Sequence, residues 1–118
     1  MIYSNYHLAI NRDTGHFWLW SINPCTRAAP GCVSVYATPQ PNGQATVYRG
    51  EAHLVNGRYS FATDIPDGVR CVVQFFPSHD VYSWDAVTLA GQLDSTFDTG
   101  CGGAPGGTTS YPFQLVRF

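Results

Sequence analysis

Across the 118 residues, no apolar spacing of about 3.6 survives for more than one turn, whereas apolar and polar positions alternate repeatedly. Twelve glycines and eight prolines interrupt nearly every stretch that could hold a helix. The chain is therefore confined to strands and turns. The sharpest instance surrounds Asn56-Gly57, a pair suited to the two positive-φ positions of a type I′ turn. Counting outward pairs Val55 with Arg58, Leu54 with Tyr59, His53 with Ser60 and Ala52 with Phe61. Leu54, Tyr59, Ala52 and Phe61 then share one face, with Glu51, His53 and Arg58 on the other.

The same reading extends along the chain. Tyr3–Ile10 and His16–Asn23 flank a hairpin loop at Arg12-Asp13-Thr14-Gly15. A five-residue loop puts Trp18 and Trp20 inside with Leu8 and Tyr6, and a four-residue loop puts Phe17 and Leu19 there. The tryptophans are the expected core. Cys32–Thr38 follows as a strand with Val33, Val35 and Ala37 on one face, and Pro39–Gly43 reads as a loop because proline cannot donate to a central ladder. Gln44–Gly50 leads into the Asn56-Gly57 hairpin. Pro66-Asp67-Gly68 reads as a turn and Val69–Phe76 as a strand carrying Cys71. The stretch from Pro77 to Trp84 looks irregular, and near Asp85 the apolar parity changes, which a turn or bulge resolves. Thr99–Ser110 reads as a Gly-rich loop holding Cys101, and Tyr111–Phe118 closes the chain as a strand with Phe113 and Leu115 inward. About eight strands in one domain, residues 1–118, imply an all-β antiparallel sandwich or small barrel.

Four cysteines, Cys25, Cys32, Cys71 and Cys101, in a small chain without lysine read as a disulfide framework in an oxidising compartment. Of the three possible pairings, the most local is expected, Cys25 with Cys32 and Cys71 with Cys101. A Cys₄ zinc site is the competing reading, but its cysteines come in closer pairs than these. The net charge is −2, and the six arginines are spread singly, which leaves no basic face for nucleic acid. No apolar run approaches the ~20 residues that a membrane-spanning helix needs. The opening MIYSNYHLAI lacks the charged and long apolar regions of a signal peptide, so export implies a leader already removed. There is no N-x-S/T sequon, and bacterial export fits at least as well as eukaryotic secretion.

Several motifs recur together: Asn23-Pro24-Cys25, Gly31-Cys32-Val33, Val69-Arg70-Cys71, Trp84-Asp85 with Leu89-Ala90-Gly91, Cys101-Gly102-Gly103, and Pro112-Phe113-Gln114-Leu115. In this the chain resembles a group of small exported mycobacterial proteins and envelope-associated domains. The resemblance covers most of the chain and rests on cysteines, core rings and turns. It implies an exported β domain, sometimes appended to a larger membrane protein. The group has no settled biochemical function, so no catalytic residues carry over.

Catalytic patterns are weak. Ser78-His79-Asp80 has the letters of a triad, but adjacent residues on one strand or turn do not form the required mutual geometry. Glycoside hydrolysis needs two carboxylates across a cleft. Asp13, Asp64, Asp67 and Asp85 fall at expected turns, which leaves Glu51, Asp80, Asp94 and Asp98. His7, His16, His53 and His79 are too scattered to fix a metal, and TGCGGAPGG lacks the Lys-Ser/Thr of a phosphate loop. No cofactor or metal is expected. Seventeen aromatic residues are the one feature suited to recognition, since rings stack on sugars and apolar ligands. The expected function is a non-catalytic binding or interaction module of the cell envelope or extracellular space, with a small exported hydrolase of envelope glycans or lipids as the alternative. A ligand site is expected on the loop from Ser78 to Trp84, built from His79, Asp80, Tyr82 and Trp84.

Overall fold

The computed structural model describes residues 1–12, 17–40, 46–72 and 74–118, with residue 70 by its backbone alone. Eight strands follow in order: β1 (Asn5–Ile10), β2 (Phe17–Pro24), β3 (Cys32–Gln40), β4 (Tyr48–Val55), β5 (Arg58–Arg70), β6 (Phe75–Asp85), β7 (Ala90–Thr99) and β8 (Pro105–Arg117). Each pairs antiparallel with the next, and β8 pairs back with β1, so the sheet closes into a barrel. Closure gives each strand two neighbours, so among the described residues no strand stands at the edge of the sheet. Of the two all-β architectures the alternation allows, the chain adopts the barrel. Both expected disulfides form, Cys25–Cys32 and Cys71–Cys101, which also excludes the Cys₄ zinc reading.

The register follows the strongest local signals. Tyr6 faces Trp20 and Leu8 faces Trp18, so the two tryptophans point inward. Asn56 (φ 52°) and Gly57 (φ 79°) both take left-handed backbone, and Val55–Arg58, Leu54–Tyr59 and His53–Ser60 pair across them. The ladder stops short of the expected Ala52–Phe61 pair, yet Ala52, Tyr59 and Phe61 are all buried, while Leu54 stays 41% exposed. The interior is filled with rings. Trp20 has no exposed surface and lies 5.3–6.4 Å, centroid to centroid, from Tyr48, Phe61, Tyr82, Trp84 and Phe113. Each such edge-on or offset pair contributes roughly 0.5–1.5 kcal/mol beyond its buried area. Gly50 and Gly91 make room, because a Cβ at either would run into the ring of Phe61 or Phe113.

Elsewhere the strands run further than expected. Pro39 and Gln40 belong to β3, opposite Trp18 and Phe17. The described β4 ladder stops at Ala37–Tyr48, so a proline beyond it can turn its nitrogen to an unladdered side. Pro66-Asp67-Gly68 is not a chain reversal but a bulge within β5, where the register shifts between Ile65 and Val69. The reversal falls at Cys71–Gln74, where the Cys71 amide donates to the Gln74 carbonyl, so Val69–Phe76 is not one strand. Residues 77–84 are regular β6, and the parity change beyond them is a turn. Asp85 Oδ1 accepts from the Val87 and Thr88 amides there, and Leu89 takes a φ of 64°. Those backbone bonds, from Thr88 first, hold the Asp85 carboxyl below its usual range. The expected loop at Thr99–Ser110 is only a 3-10 turn, Cys101–Gly103, before β8 begins at Pro105. The loop expectations at residues 13–15 and 41–43, and the positions of His16 and Gln44, lie outside the described residues.

Candidate functional site

The sites expected on the stretch from Ser78 to Trp84 are divided by the pleat of β6. Ser78, Asp80, Tyr82 and Trp84 point into the barrel, and His79 points out. His79 is more than half exposed and sets its Nδ1 2.8 Å from Asp64, which is a strand residue on the outer face rather than a turn. Trp84 has no exposed surface and stacks on Tyr59 deep in the ring-filled interior. The four therefore do not form one surface. Asp80 and Tyr82 do converge, beneath one open end of the barrel.

Asp80 is fully buried, and its carboxylate accepts three hydrogen bonds. Arg12 Nη1 donates to Oδ2 at 2.7 Å, while Ser78 Oγ and Ser95 Oγ donate to Oδ1 at 2.9 and 2.7 Å. Arg12 lies two residues past β1, and its Nη2 also donates to the Gly68 carbonyl and to Ser95 Oγ. Its guanidinium sits 5.7 Å from the Tyr111 ring centroid. The β5 bulge brings the Gly68 carbonyl into this cluster, and only glycine fits, since a Cβ there would strike Ser78 Oγ. A buried charge needs a paired and hydrogen-bonded setting, and this cluster supplies one from five different segments. Nothing adjacent in sequence links Arg12, Ser95 and Tyr111 to Asp80. The one legible signal was the even parity of Ser78, Asp80, Tyr82 and Trp84, which turns Asp80 inward and so demands a cation.

The cluster is a floor. Below it, among Leu8, Trp18, Tyr48 and Tyr82, the free space of about 10 Å³ has room for no more than about one water. The Tyr48 hydroxyl lies there, accepting from Trp20 Nε1 at 2.9 Å, and burial together with the nearby Tyr82 pushes its pKa well up. Above the floor opens a cavity of about 410 Å³. Arg12, Ser95 and Tyr111 form its base, and Phe97, Val69 and the Gly100–Pro105 corner form its walls. Cys71–Cys101 fastens that corner to the β5–β6 turn. This volume lies within the roughly 300–1,000 Å³ typical of small-molecule sites.

The remaining acids are dispersed. Glu51 is outside and accepts from the Thr26 amide, and Asp98 is exposed. Asp94 accepts from Ser110 and Gln92 on the outer face, bonds that hold its carboxyl below the usual range. Asp67 lies in the bulge of β5. Among the described residues, Cys25, Cys32 and Glu51 are the one metal-type cluster, and its sulfurs are bonded to each other. Compared with family models, curated proteins and solved structures, the chain matches none of them.

Proposed function

We propose that this domain is a non-catalytic binding module, exported to the cell envelope or extracellular space of a mycobacterium, that receives a small ligand at the open end of its barrel. The observation that carries the reading is the mouth cavity with its prebuilt polar floor. Asp80, the carboxylate beneath that cavity, is bonded to Arg12, Ser78 and Ser95, which suits a structural role better than proton transfer. The two disulfides fit an oxidising compartment, and no described helix is long and apolar enough to cross a membrane. The envelope and mycobacterial assignments rest on the resemblance in the cysteine and turn motifs. The hydrolase alternative needs two acids across one cleft, and Glu51, Asp80, Asp94 and Asp98 supply no such pair.

The test is titration with N-phenyl-1-naphthylamine, an uncharged dye that brightens in apolar sites. One saturable site is expected, weakened by Phe97→Asp or Val69→Asp and left alone by Phe17→Asp on the outer wall. Absence of a saturable site, or insensitivity to both mouth substitutions, would refute the mouth as a binding site. Sustained product release from p-nitrophenyl acyl esters or chitin oligomers, abolished by a mouth substitution, would favour the hydrolase.

A further inference from the structure

The geometry points to a particular ligand class for this mouth: an amphiphile with an uncharged, hydroxyl-bearing head seated on the floor and a short apolar body against the rim. This inference rests on the mouth being the binding site. Its basis is the distribution of charge and of hydrogen-bonding groups around the cavity.

Among the described residues, Arg12 is the one charged side chain lining the cavity, and its partner Asp80 lies directly beneath. The ion pair leaves the floor without a strong net field. An anionic head would have to draw Arg12 from Asp80, leaving a fully buried carboxylate without its cation. A cationic head would meet the guanidinium, with the Asp80 oxygens beyond it already taken by Arg12 and two serines. A neutral head avoids both penalties.

Hydroxyl groups also match what the cavity offers. Tyr111 and Thr109 line it, and their hydroxyls make no hydrogen bond within the described residues. Each is both donor and acceptor, the complement of a sugar-like or polyol hydroxyl. Polarity falls from floor to rim. Ser95, at the base, is 1% exposed, whereas the apolar Ala104 and Pro105 stand at the exposed lip with the Phe97 ring between. The head therefore enters first and the apolar body stays near the Cys101 corner. Such a head occurs both on free sugars and on glycolipids, and the apolar lip favours the form that carries a chain.

The test uses the disulfide-intact protein, ¹⁵N-labelled, titrated separately with octyl β-glucoside below its micelle concentration, octanoate, octylammonium and free glucose. Octyl glucoside is expected to shift the amides around Ser95, Thr109 and Tyr111 and to bind about tenfold or more tighter than either charged octyl compound. Tyr111→Phe keeps the ring and removes the hydroxyl, and should weaken octyl glucoside about three- to tenfold. Thr109→Val, opposite Ser95 in the β7–β8 ladder, provides a second, independent loss of the same kind. If octanoate or octylammonium shifts the same amides more strongly, the uncharged-head assignment is overturned while the mouth stands as the site. If glucose binds as tightly as its octyl glycoside, the apolar body is overturned. If no compound shifts these amides, the mouth reading falls as well.

Discussion

Asp80 has every oxygen engaged and no exposed surface, so its value depends on Arg12 remaining beside it. Removing one member of a buried pair leaves the other charged and unpartnered, which destabilises by about 3–5 kcal/mol. Asp80→Ala should lose that much in urea unfolding, a large share of the roughly 5–15 kcal/mol that holds a domain of this kind. Replacing both with apolar residues, Arg12→Met with Asp80→Leu, should cost much less than the sum of the single changes, because no lone charge is left behind. Equal and additive losses would mean that the pair contributes only packing. Ser95 is tied to both partners, and its hydroxyl fixes the geometry of the floor more than its strength.

Among the elements, the β4–β5 hairpin isolates the contribution of a single turn. Gly57 sits at a φ of 79°, and a Cβ there would meet nothing within 4 Å, so Gly57→Ala tests backbone strain alone. A loss of about 1–2 kcal/mol is expected in thermal unfolding, with the barrel intact. The Cys71–Cys101 staple behaves differently, because it joins two hairpin ends rather than strands within the ladder. In a Cys71→Ser, Cys101→Ser variant, which leaves Cys25–Cys32 in place, amide exchange should accelerate first at residues 99–107 and 70–75, while β1 to β4 keep their protection. Uniform acceleration would show that the staple holds the whole sheet. What was legible in the sequence follows the same division. Asn56-Gly57 specifies its surroundings by itself, because the turn and the burial pattern agree. The strand from Phe17, in contrast, is apolar on both faces, and only its pairing with Tyr6 and Leu8 turns the tryptophans inward. Pro66-Asp67-Gly68 carries the letters of a turn, but only the β6 partner decides that the chain bulges there and continues. β6 itself looked irregular because its inward positions include Ser78 and Asp80, and a polar cluster hides the alternation that apolar residues would display. The glycines of β8 resembled a loop for the same kind of reason. Gly106 is there because a Cβ would collide with the Phe97 and Asp98 carbonyls across the ladder.

At the scale of the whole molecule, the rings in the interior couple stability to alkaline pH. Tyr48 has its pKa raised well above the usual 10.0 by burial, so its contribution is fully present below pH 10 and is lost as pH rises through the folded value. Tyr48→Phe should blunt alkaline unfolding, followed by near-ultraviolet circular dichroism, yet cost about 1–3 kcal/mol at neutral pH by leaving Trp20 Nε1 without its acceptor. An unchanged alkaline midpoint would place the pH sensitivity elsewhere. The pairing of β8 with β1 has a further consequence, in time rather than in energy. Tyr6 meets Arg117 and Ile10 meets Phe113, so the ring cannot close until every strand from β1 to β8 is free to fold. Sheets whose final pairing spans the chain fold slowly, in milliseconds to seconds. Throughout that interval β1 and the latest strand formed are both open edges. A chain synthesised from its N-terminus thus carries an unfinished sheet until β8 has emerged, the period in which it is most exposed to pairing with a neighbour.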